Sequence, residues 1–170
     1  MDAPPTAGLA EAASALDQEA FAKRFGAVFE RSPWVAERAW DHRPFADLDD
    51  LHGKLVEAVA AAPHQDRLAL IRAHPDLSDR AAILTTHSTR EQAAAGLDRL
   101  TQGQYDELLA GTAAYRTRFG FPFVICAREH DADSILAALR ERVDNDPAHE
   151  EETALREIAR IARLRLEAMA

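Results

Sequence analysis

His74 stands directly before a proline, in Ala73-His74-Pro75-Asp76-Leu77, and that order puts an imidazole at the end of a helix. Proline disfavours the α-region for the residue before it, so the helical run Asp66-Arg67-Leu68-Ala69-Leu70-Ile71-Arg72 is expected to stop near His74. Histidine changes charge near neutral pH, which suits it to moving a proton. The plainer alternative is a C-terminal imidazole favoured by the helix dipole. The other six histidines are His42, His52, His64, His87, His130 and His149. None is paired at i, i+4 or set in a close cluster of ligating residues, so no metal site is expected.

Ser88-Thr89-Arg90-Glu91-Gln92 has two readings. As a capping box, the Ser88 hydroxyl accepts from the Glu91 amide and the carboxylate returns to the Ser88 amide. As a polar wall, a helix N-terminus with Glu91 and Gln92 meets a ligand rich in amide and carboxylate groups. Arg165 can be placed on its helix by stepping about 100° per residue. It falls inside the apolar arc of Leu155, Ile158, Ala159, Ala162 and Leu166, whereas Arg156 and Arg160 fall outside. A guanidinium aimed inward is either ion-paired or a binder of anions. Cys126 sits in the apolar run Phe121-Pro122-Phe123-Val124-Ile125-Cys126-Ala127 and reads as a small buried hydrophobe, not a nucleophile. That run is too short and too proline-punctuated for a typical helix. It is expected as extended chain in the core, with amides and carbonyls that a cyclic ureide could satisfy.

The elements that position these residues read as helices throughout. Residues 1–15 are rich in Ala, Pro and Gly and are expected as a loosely ordered arm ahead of a helical domain over 16–170. Asp17 caps a helix carrying Phe21, Phe25, Val28 and Phe29, and Ser32-Pro33 opens another with Trp34, Val35, Ala39 and Trp40. Asp47 or Asp49 caps a third, with Leu48, Leu51, Leu55 and Val59, which Pro63 ends. Beyond the His-Pro turn, Ser78 to Leu84 is a short helix, Ser88 starts one that stops at Gly96, and Thr101-x-x-Gln104 is a capping box for a long one reaching Gly120. Asp133 caps a helix with Ile135, Leu136, Leu139 and Val143, and Asn145-Asp146-Pro147 turns the chain into a last helix. The fold class expected is all-α, a compact single-domain helical bundle of about eight helices.

Composition bounds the partners. The 170 residues, 47% of them hydrophobic, suffice for one core. A formal net charge of −9 lacks the basic footprint of a nucleic-acid binder. No apolar run approaches a membrane span and the start has no signal-peptide pattern, while the single cysteine fits a reducing compartment. A cytoplasmic protein is expected, with a small molecule as its partner and neither nucleic acid nor membrane.

Taken together these segments resemble the 2-oxo-4-hydroxy-4-carboxy-5-ureidoimidazoline (OHCU) decarboxylases of urate breakdown. The matching stretches are Phe29-Glu30-Arg31-Ser32-Pro33-Trp34-Val35-Ala36-Glu37-Arg38-Ala39-Trp40 with Arg43-Pro44-Phe45, and Leu70-Ile71-Arg72-Ala73-His74-Pro75-Asp76-Leu77. They continue with Ser88-x-x-Glu91-Gln92 to Gly96-Leu97, Phe119-Gly120-Phe121-Pro122-Phe123-Val124-Ile125-Cys126, and Ala154 to Ile158 followed by Arg165-Leu166. The resemblance implies an all-α decarboxylase without a cofactor, usually a homodimer, that makes (S)-allantoin. It implies His74, Glu91 and Arg165 as catalytic residues, with His74 the acid/base. It implies substrate binding by Pro75, by Ser88, Thr89, Arg90, Glu91 and Gln92, by the backbone of Phe123, Val124, Ile125, Cys126 and Ala127, and by Arg165. The link from His74 to Ser88 is a few residues shorter than the family's and lacks its glycine. The competing class is a non-enzymatic interaction module, since His-Pro-Asp between helices also resembles the J-domain co-chaperones; those need a strongly basic preceding helix, whereas here Arg67 and Arg72 stand against Asp66. A hydrolase acting on allantoin is disfavoured by the lack of a metal cluster or nucleophile pair.

Overall fold

A computed structural model describes residues 5–86 and 97–170. The all-α, single-domain class expected from the sequence is the class observed, with no strand among the described residues. Within it the chain gathers into two compact units, one of residues 1–73 with 159–170 and one of residues 74–158.

The first unit opens with α1 (Pro5–Ala15), where the sequence predicts a loose arm. The reason lies in small residues: Leu9, Ala10 and Ala13 form a buried stripe, and the Ser14 hydroxyl accepts from the Phe45 amide at 2.8 Å. The apolar period is short, but Ala lets the helix come close to its neighbour, α4 (Leu48–Ala60). Between them, α2 (Gln18–Phe25) is capped by Asp17, which accepts from the Ala20 amide at 2.8 Å. Helix α2 stops at Gly26, so Val28 and Phe29 reach the core from a turn and not from the helix. Ser32 does not cap α3 (Trp34–Ala39) with its side chain; its hydroxyl donates back to the Glu30 carbonyl at 2.8 Å. Asp47 caps α4 through the Asp50 amide, as predicted. Phe21 lies 4.7 Å from Phe25 and 5.7 Å from Phe45 between ring centroids, and Leu48, Leu51, Leu55, Leu70 and Ile71 complete the packing. Each such side chain, fully buried, contributes about 1.5–3 kcal/mol. α5 (His64–Ala73) ends one residue before His74, where Pro75 requires it.

The second unit begins at His74. α6 (Leu77–Thr86) follows the His-Pro turn, and the helix expected from Ser88 to Gly96 lies outside the described residues. The predicted capping box forms: Thr101 accepts from the Gln104 amide at 3.1 Å and Gln104 accepts from the Thr101 amide at 2.9 Å, opening α7 (Gln102–Phe119). Gly120, left-handed at φ 75°, ends it. Residues 121–126 then run without helix or ladder, buried throughout. α8 (Ala132–Arg142) is capped by Asp131 in a box with Ser134, not by Asp133. Asp133 sits inside the first turn and accepts from Gln104 at 2.8 Å. α9 (Pro147–Glu167) carries its apolar stripe at Ala154, Ile158, Ala162 and Leu166 and passes from this unit into the first.

Candidate active site

The His-Pro turn is held by the residue after the proline. Asp76 Oδ1 accepts from both the amide and the hydroxyl of Ser78, at 3.0 and 2.7 Å, and the Asp76 carbonyl accepts from the Arg80 amide. Asp76 is therefore the N-terminal cap of α6, with Arg116 of α7 3.9 Å from its other oxygen. His74 is thus fixed from both sides: helix α5 ends at Ala73, Pro75 sets the backbone, and a capped helix follows. Its side chain is buried, with the residue only 6% exposed. A buried imidazole on a rigid turn keeps one orientation toward whatever it serves.

The 121–127 segment lies in the same unit, and every residue of it is buried, Cys126 included as a free thiol. Its backbone is tied at two points. The Cys126 amide donates to Glu157 Oε2 at 2.7 Å, and the Val124 carbonyl accepts from Arg142 Nη1 at 2.8 Å. Behind it Tyr115 packs its ring 5.3 Å from Phe123 and donates its hydroxyl to Glu150 Oε1 at 2.6 Å. Burial and the adjoining Glu150 carboxylate push the Tyr115 phenol far above its ordinary range. Neither Arg142 nor Glu150 stands out in the sequence, because both sit in the polar stretch Arg140 to Glu152. Asp76 and Glu157 were equally silent; only the Asx pattern before Ser78 could have signalled the first.

Arg165 belongs to the first unit. Its Nη1 donates to the carbonyls of Ala27 and Val28 at 3.3 and 3.0 Å, and its Nη2 to Glu30 Oε2 at 2.9 Å. The side chain is 38% exposed, so the arginine expected on the apolar arc lies at its edge, in the ion-paired arrangement. Ser88, Thr89, Arg90, Glu91 and Gln92 lie outside the described residues. Among the described residues no group of three or more His, Cys, Asp or Glu side chains is placed to hold a metal, and no helix is long and apolar enough to cross a membrane.

The model of the OHCU decarboxylase family matches residues 14–167. Among curated proteins, the 2-oxo-4-hydroxy-4-carboxy-5-ureidoimidazoline decarboxylase of Haloferax volcanii is 45% identical over 151 residues, covering 89% of each chain. The protein of the same name from Amia calva is 41% identical over 157 residues, covering 91% of this chain and 90% of its own. Among solved structures, that of an (S)-allantoin synthase superposes with a TM-score of 0.78 at 25% identity. The match covers 94% of this chain and 53% of that one, so this chain spans about half its length.

Proposed function

The chain belongs to the OHCU decarboxylase family, carboxy-lyases of urate degradation, and from that premise we propose that His74 is the acid/base for converting OHCU into (S)-allantoin. The observation that carries this reading is a buried imidazole on a turn fixed by Pro75 and by the Asp76 cap. OHCU bears its carboxylate on a carbon next to a C=N bond. When that carboxylate leaves as carbon dioxide, the electron pair forms a C=C bond, the imine π pair moves onto nitrogen, and the nitrogen takes a proton. The product of that step is an enol. Loss of the enol O–H proton and delivery of a proton to the ureido-bearing carbon, on one face, give (S)-allantoin.

The substrate is its own electron sink. The protein's task is to turn the carboxylate out of the ring plane, stabilise the charge that spreads into the ring and shuttle the proton. In this reading His74 exchanges a proton with the hydroxyl or the nascent enol, beside Pro75. Glu91 and Gln92, with Ser88, Thr89 and Arg90 beside them in the sequence, grip the ureido arm. Arg165 fixes an anionic or carbonyl oxygen, and the backbone of Phe123, Val124, Ile125, Cys126 and Ala127 accepts the ureide and ring. The same reading makes the protein a cytoplasmic homodimer, which light scattering on the purified chain tests: a monomer mass at working concentration would remove the dimer.

The deciding experiment is circular dichroism on OHCU freshly generated from urate. Rapid growth of one allantoin enantiomer, ahead of the slow racemic background, is the expected result. Folded protein that leaves the background rate unchanged would overturn the assignment. Binding to an Hsp70-type partner would then favour the interaction-module reading.

A further inference from the structure

The polar cluster behind residues 121–126 is out of proportion to any need of the core. Glu150 is fully buried and takes three donors: Arg142 Nε at 2.5 Å, the Tyr115 hydroxyl at 2.6 Å and Asn145 Nδ2 at 3.1 Å. Arg142 is itself 7% exposed and stands 4.5 Å over the Phe123 ring. A buried ion pair of this kind is often no more stabilising than well-packed apolar residues of the same volume. Stability alone therefore gives no reason for its presence.

What the cluster does reach is backbone. Arg142 Nη1 holds the Val124 carbonyl, and Glu157 holds the Cys126 amide. A trans peptide is planar, with its C=O and the following N–H pointing opposite ways. Tying the Val124 carbonyl therefore turns the Ile125 N–H away from Arg142. Tying the Cys126 N–H likewise turns the Ile125 carbonyl away from Glu157. Two successive peptide planes are fixed, and the groups left over are one donor and one acceptor on a single residue, with no partner seen among the described residues. A ureide, which offers N–H and C=O side by side, is the complement of such a pair.

We propose that Arg142, charged and aimed by Glu150 and Tyr115, and Glu157 are positioning residues that present the Ile125 N–H and carbonyl to the ureide of the substrate. The proposal rests on the decarboxylase reading and deepens it. Neither residue touches the reacting atoms, so their loss is expected to show in substrate and product affinity and not in the chemical step.

Two sets of variants test it. The triple variant Arg142→Met, Glu150→Leu, Tyr115→Phe removes both charges and the phenol together, leaving no lone buried ion. Glu157→Ala removes the second tie, and Glu157→Gln restores an acceptor for the Cys126 amide. Each is assayed well below its own melting temperature for kcat, KM and (S)-allantoin affinity. The expected result is a folded triple variant and a folded Glu157→Ala variant whose KM rises about tenfold, with allantoin affinity falling in step and kcat little changed, and recovery in Glu157→Gln. Unchanged KM and allantoin affinity in folded variants, with only the melting temperature moved, would overturn the proposal. If the triple variant does not fold, the Glu157 pair decides by the same readout. The unaltered protein in the same assay separates the two readings: if it fails to decarboxylate OHCU, the parent function falls, and if it succeeds while the variants match it, only the positioning role falls.

Discussion

His74 and Arg165 carry proposed roles of two different kinds. The imidazole is buried at the turn where α5 ends and Pro75 restricts the backbone, so His74→Ala is expected to remove the group and leave the turn in place. A general acid–base group contributes about 10²–10⁴ in rate, so His74→Ala is expected to lower kcat by that factor while allantoin affinity, measured by calorimetry, stays within a few-fold. Near-full turnover by the variant would remove His74 from the mechanism. Arg165 donates to two carbonyls of the 27–30 turn and to Glu30, and its half-exposed pair contributes no more than about 1 kcal/mol to stability. If it also fixes a substrate oxygen, Arg165→Ala raises KM well beyond what so small a loss of stability explains; an unchanged KM with a slightly lower melting temperature would leave it a turn anchor only. At this scale both residues stand out in the sequence as candidates, one from the proline that follows it and the other from its angle on the helix. It did not show the partners of Arg165, because the Ala27 and Val28 carbonyls are offered by a turn between helices that no local pattern announces.

The elements were legible wherever a cap and an apolar period agree. Thr101 with Gln104 opens α7 and Gly120 closes it, both visible as residue types at fixed offsets. They diverged where two candidates compete. Asp131 and Asp133 both precede Ile135, and the box with Ser134 selects the earlier one, so that α8 starts two residues sooner than the apolar spacing alone marks. Ala-rich α1 is hard to read for a related reason: a stripe of one Leu and two Ala is a weak period but packs closely once a partner helix is there. Asp76 is hard to read as a cap because the same four residues already carry the signal of the His-Pro turn. Its two acceptances from Ser78 hold the start of α6, so Asp76→Ala is expected to cost about 1 kcal/mol, a fall of roughly 2–4 °C in melting temperature for a chain of this size. Because the same cap fixes the turn under His74, kcat should fall as well, and a stability loss with unaltered kcat would mean that Pro75 alone holds the imidazole. Gly120→Ala, by contrast, places a Cβ on backbone at φ 75° and should cost about 1 kcal/mol with no kinetic effect of its own, a comparison that calibrates the first.

On the scale of the whole molecule, the fold class follows from helix after helix of periodic apolar residues, but its most consequential interior feature is hidden in a charged stretch. Arg142 and Glu150 lie among Arg140, Glu141, Asp144, Asp146, Glu151 and Glu152, charged neighbours that read as solvated surface, yet both are buried and bonded to each other, with Arg142 also on the Val124 carbonyl. Their burial binds global stability to pH at the alkaline end through Tyr115. The phenol is held neutral in the folded protein by burial and by its bond to Glu150, so its folded pKa lies far above the value of about 10 that it has in the unfolded chain. A group raised in this way contributes its full stabilisation below the unfolded value, where both states keep the proton. Above it the unfolded state sheds a proton that the folded state retains, and stability falls by about 1.4 kcal/mol for each further pH unit. Urea unfolding at pH 8 to 11 should therefore show a midpoint that is flat in this contribution until about pH 10 and then drops. Tyr115→Phe has no proton to lose and should fall less steeply over the same range, although it starts lower for want of the bond to Glu150. Parallel curves for the two proteins above pH 10 would mean that the phenol ionises in the folded state after all, and that the cluster behind residues 121–126 is open to water.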